Sequence, residues 1–65
     1  MESRVPFSEV VDLLEAHGWE LTRIWSPYRV FTKPGSDELP ILTEVHERMV
    51  RLSDVERIKK YLEEG

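Results

Sequence analysis

Apolar residues at Phe7, Val10, Val11 and Leu14, with Leu13 beside them, recur at the i, i+3, i+4, i+7 spacing of one helical face. Pro6 suits the first turn of a helix and Gly18 the left-handed residue just past its end, so the spacing predicts a helix over 6–17. From Trp19 the period changes. Trp19-Glu20-Leu21-Thr22-Arg23-Ile24-Trp25 is rich in aromatic and β-branched residues and reads as a strand. Ser26-Pro27 marks a turn, and Tyr28-Arg29-Val30-Phe31-Thr32-Lys33 reads as a second strand, antiparallel to the first because the link is short. Pro34-Gly35-Ser36-Asp37 is a loop leading to a third strand over 39–45, where Pro40 must stand at the start or on an edge.

Ser53-Asp54-Val55-Glu56 has the form of a capping box, and Val55, Ile58 and Leu62, with Tyr61 alongside, supply the apolar stripe of a helix over 53–63. The order is α-β-β-β-α. Each helix has one apolar face to bury, so the expected fold is α+β, a two-layer domain with both helices on one face of a three-stranded antiparallel sheet. Its expected core is Phe7, Val10, Leu14, Trp19, Leu21, Phe31, Ile41, Val55, Ile58 and Leu62. Sixty-five residues suit one small domain spanning 1–65.

Composition changes the picture in two respects. The chain has no cysteine, which excludes a disulfide scaffold and thiol-bound zinc and suits a reducing compartment. No apolar run approaches the roughly 20 residues of a membrane span, and the first residues lack a signal-peptide pattern, so a cytoplasmic protein is expected. The formal charge of −4 hides a segregation: residues 1–20 carry −4, 21–33 carry +3, 34–47 carry −4 and 48–62 carry +3. Phosphate binding follows the local field, not the total, so the hairpin and the lead-in to the second helix are the candidate contacts. Trp25 and Tyr28 at the hairpin tip could stack on bases. The alternative is that both rings pack on the sheet and the charges form a solvated face.

Glu9-Val10-Val11-Asp12-Leu13-Leu14-Glu15-Ala16-His17-Gly18-Trp19 resembles the opening helix of the HicA family of small bacterial toxins, which ends in Gly followed by an aromatic. The likeness runs on through Arg23 to Gly35, with Phe31 and the Pro34-Gly35 loop, and His46 falls near a second His of that family. Asp54-Val55 and Ile58 are similar to the start of the family's last helix. The resemblance implies a double-stranded-RNA-binding-domain-like fold, mRNA cleavage or blocking, and a HicB antitoxin as partner.

One departure bears on the chemistry. Where the family has a Gly-Ser-His turn carrying its catalytic His, this chain has Ser26-Pro27-Tyr28. Metal-free RNA cleavage needs a group to take the 2′-hydroxyl proton and another to protonate the leaving oxygen, and an imidazole suits both. A phenol, ordinarily titrating near 10, is a poor base at neutral pH. Loss or strong reduction of ribonuclease activity is therefore expected, with Tyr28 in the position of the family's His.

His46, within Glu44-Val45-His46-Glu47-Arg48, is the one substitute base, or else a surface histidine in a polar loop. His17, before Gly18, suits a helix C-cap. Two histidines and no cysteine fall short of a four-ligand zinc site, and neither metal nor cofactor is expected. Arg23, Arg29, Lys33, Arg48 and Arg51 are the candidate phosphate contacts, with Trp25 as a stacking ring. Two functions stay open. One is an RNA-binding toxin-family domain. The other is a non-enzymatic protein-interaction module, homodimeric or bound to an antitoxin-like partner, that uses an unpaired sheet edge.

Overall fold

The structure is a computed structural model and describes residues 3–64. Its elements run β1 (Arg4–Pro6), α1 (Phe7–Ala16), β2 (Glu20–Trp25), β3 (Tyr28–Thr32), β4 (Ile41–Glu44), β5 (Met49–Arg51) and α2 (Leu52–Glu64). The α+β reading holds: two helices accompany a three-stranded antiparallel sheet ordered β2-β3-β4. A two-stranded antiparallel ribbon, β1-β5, was not expected and is added to it. Its strands have three residues each, too short for any alternation to show along the chain.

The end of α1 explains why the first helix was legible. Gly18 has φ +86, its N–H donates to the Glu15 carbonyl, and the Trp19 N–H donates to the Leu14 carbonyl, both at 3.0 Å. This is a Schellman closure, and its accompanying apolar contact is supplied by Leu14 and Trp19, which are both fully buried. His17 caps the same end, donating from Nδ1 to the Leu13 carbonyl at 3.0 Å.

The start of α2 differs from expectation. The helix begins at Leu52, so Ser53 lies inside it and not at the flanking position a capping box requires. The Leu52 N–H instead donates to the Ser3 carbonyl at 3.0 Å, because the β1-β5 pairing has brought that chain segment alongside.

Val10, Leu14, Trp19, Phe31, Val45, Val50, Val55 and Ile58 form the buried core, with Phe7, Ile41 and Leu62 half-buried against it. Both helices and the Phe31 face of the sheet contribute, which fixes that face as the inner one. Leu21 is a correction: it is 39% exposed, because it stands on β2, the edge strand of the sheet, all of whose residues are exposed. Val50 and Val45, absent from the expected core, are buried because the ribbon folds beneath the helices.

A two-residue turn joins His46 to Met49. Their backbones exchange N–H donations at 3.0 and 2.8 Å, with Glu47 at φ 53 and Arg48 at φ 66. Such a turn normally carries Asn-Gly, so nothing in Glu47-Arg48 announces it. The left-handed angles are sustained from outside, by β1-β5 pairing and by the Phe7 N–H donated to the Arg48 carbonyl at 2.8 Å.

Candidate nucleic-acid interface

Alternation along the three strands sorts the side chains onto two faces. Phe31 pairs with Ile41 and Arg29 with Thr43 on the inner face, so Tyr28, Val30, Leu42 and Glu44 look outward. β2 would follow the same rule throughout but for a bulge. Leu21 stands opposite Phe31 while Arg23 stands opposite Val30, leaving Thr22 as the extra residue. Beyond the bulge the strand changes phase. Arg23 and Trp25 turn to the outer face, and Ile24 joins Leu21 on the inner side.

The outer face therefore gathers Arg23, Trp25, Tyr28 and Leu42 around a buried Val30. Trp25 and Tyr28 are directly opposite each other, 55% and 41% exposed. The Arg23 guanidinium carbon lies 5.4 Å from the centre of the Trp25 ring, a cation–π distance that keeps the charge beside the aromatic plane. Thr22 and Thr32 face the same way, their hydroxyls 3.4 Å apart.

Next to the rings sits an acid–imidazole pair. Glu44 is the cross-strand neighbour of Tyr28, and its Oε2 lies 2.6 Å from Nε2 of His46. The Val45 N–H donates to the Pro27 carbonyl at 2.8 Å, which joins the hairpin tip to the segment bearing His46. The hydrogen bond from His46 holds the Glu44 carboxyl below its ordinary value, against the opposing effect of burial. The charges of His46 and Arg51 push the same way as the hydrogen bond. The sequence shows Glu44 close to His46 along the chain, but only strand pairing sets it opposite Tyr28. A period-two spacing, Glu44 to His46 along an extended segment, was the available signal.

The remaining basic candidates lie elsewhere. Arg29 points inward and stacks over Phe7, its guanidinium carbon 5.7 Å from the ring centre. Arg48, in the tight turn, lines a groove of about 690 Å³ with Phe7, Val11, Asp12 and Met49. Lys33 is occupied by Glu38 at 3.9 Å. Glu38 is further held by Ser36, whose hydroxyl donates to it at 3.2 Å. Arg23, Trp25, Tyr28, Glu44 and His46 are thus brought to one side, while Arg29, Arg48 and Lys33 are not.

Among the described residues no three His, Asp or Glu side chains are grouped to hold a metal ion, and no helix is long and apolar enough to cross a membrane. Set against protein-family models, curated proteins and solved structures, the chain matches none.

Proposed function

We propose that this chain is a HicA-like RNA-binding domain of a bacterial toxin–antitoxin pair, acting in the cytoplasm with little or no ribonuclease activity of its own. The observation that carries the reading is the outer sheet face, where the exposed rings of Trp25 and Tyr28 stand side by side with the Arg23 guanidinium over the indole. Unpaired bases stack on such rings whatever their identity, and an adjacent arginine meets the phosphate that follows each base. The acids of α1 and of the 34–38 loop are remote in sequence from the platform, but Glu20 and Glu44 share its face with Arg23, so the rings and not the net charge carry the reading.

The Glu44–His46 pair beside Tyr28 is the group placed to exchange a proton with bound RNA. With a phenol in place of the family's histidine, a second general acid or base is missing, and cleavage is reduced accordingly. A HicB-like protein is the expected partner.

Fluorescence titration with a labelled stem-loop RNA, at low and raised salt, tests the reading. Wild type is expected to bind, with affinity falling as salt rises. Trp25→Ala is expected to weaken binding about 10–100-fold, the worth of one stacked base, without altering the melting temperature. Absence of binding at low salt, or equal binding by Trp25→Ala, overturns it. In a cleavage assay His46→Ala should abolish whatever activity the wild type retains.

A further inference from the structure

All six residues of β2 are exposed, and the outer edge of this strand pairs with nothing among the described residues. Its inner side carries Leu21 and Ile24, 39% and 61% exposed. An edge of unpaired backbone flanked by apolar side chains is a template for another strand. The opposite edge is less suited: β4 has four residues and follows Pro40, which has no N–H to offer.

The bulge decides what can pair there. Leu21 and Ile24 lie on the inner face, and Glu20, Thr22, Arg23 and Trp25 on the outer. A second β2 laid antiparallel about a two-fold axis normal to the sheet keeps inner face with inner face. Among registers that pair four or more residues of each strand, only one matches every pair: Leu21 opposite Ile24, Glu20 opposite Trp25, and Thr22 opposite Arg23. Shifting it by one or two residues in either direction sets an inner residue against an outer one. In the matching register the two leucines and two isoleucines meet as one apolar cluster. Each Arg23 stands diagonal to Glu20 of the other copy, within reach of an opposite charge. A strand that complements itself in face, polarity and charge fits its own copy.

We propose that β2 joins β2 of a second copy of this chain in that register, giving a continuous six-stranded sheet ordered β4-β3-β2-β2-β3-β4. The two halves of the inner layer then enclose Leu21 and Ile24, and the outer face becomes one platform with a Trp25 on each side of the axis. The inference stands on β2 alone and does not depend on RNA binding.

Sedimentation velocity on the full chain, over a range of concentrations, reads the association. Wild type is expected to dimerise. Ile24→Lys places a charge twice in the apolar cluster and is expected to raise the dimer dissociation constant about a hundredfold or more, with unchanged circular dichroism, since Ile24 lies outside the core. Register is read by cross-linking. The chain has no cysteine, so Leu21→Cys and Ile24→Cys each introduce a single thiol. Mixed and mildly oxidised, the two variants are expected to form the mixed dimer in preference to either self-linked one, because only residues directly opposite come within disulfide reach. A monomeric wild type at millimolar concentration, a dimer untouched by Ile24→Lys, or equal self-linking overturns the proposal. Ile24 faces away from Trp25 and Tyr28, so RNA titration of Ile24→Lys reports separately on the platform.

Discussion

Thr43→Val exchanges a hydroxyl for a methyl at the most enclosed polar side chain described in this fold. Thr43 lies on the inner face of β4, opposite Arg29, and is 1% exposed. Its Oγ1 has no hydrogen-bond partner. A buried hydroxyl without a partner forfeits its hydration, a loss of about 1–3 kcal/mol, and the new methyl adds about 0.8 kcal/mol of apolar burial. Valine and threonine have the same shape and similar preference for strands, so no packing or propensity cost offsets the gain. The expected result is stabilisation by at least about 2 kcal/mol, a sizeable share of the roughly 3–10 kcal/mol that a chain of this length is expected to have. Near the midpoint this corresponds to a melting temperature raised by roughly 8–16 °C. Thermal and urea denaturation followed by circular dichroism measure it. Thr43→Ala serves as a control: it removes the same hydroxyl together with a buried methyl, and should be less stable than Thr43→Val. If Thr43→Val melts below wild type, the hydroxyl has a partner and the account of this site is wrong.

Val50→Ala should destabilise by about 2–3 kcal/mol, combining two lost methyl contacts with a cavity under the ribbon, whereas Leu21→Ala, which deletes more carbon at a partly exposed edge, should lose about 1 kcal/mol; denaturation at concentrations where the chain is monomeric tells them apart, and a larger loss at Leu21 would restore it to the core. Glu44 titrates below its ordinary value in the folded chain, so its pairing stabilises above the unfolded pKa and is lost as pH falls through the folded one. Carboxyl-carbon NMR should show the Glu44 midpoint rising toward the ordinary range in His46→Ala, since the His46 hydrogen bond is the largest cause, and an unmoved midpoint would show that the pair does not form in solution.

The helices and the first hairpin were legible along the chain because their determinants are local. A stripe at helical spacing, a glycine needed at φ +86 and a Ser26-Pro27 link between two β-rich runs act over a few residues each. The starting residue of α2 was not, since the Ser53-Glu56 pattern was outweighed by the Ser3 carbonyl arriving from the far end of the chain. The ribbon was equally hidden: Val5 pairs with Val50 across most of the chain's length, and neither three-residue strand can advertise itself.

The candidate site divides along the same line. That aromatic and basic residues crowd the hairpin, with Tyr28 just after the Ser26-Pro27 turn, is plain in the sequence alone. Which of them share a surface was decided by pairing. Uninterrupted alternation would put Leu21, Arg23 and Trp25 on one face, but the extra residue at Thr22 shifts the phase by one position. Arg23 and Trp25 thereby move to the outer face beside Tyr28, and Leu21 is left on the inner side next to Ile24. A bulge depends on how one strand counts against its neighbour, a relation between residues seven to ten apart in β2 and β3, and a period read along one strand has no access to it.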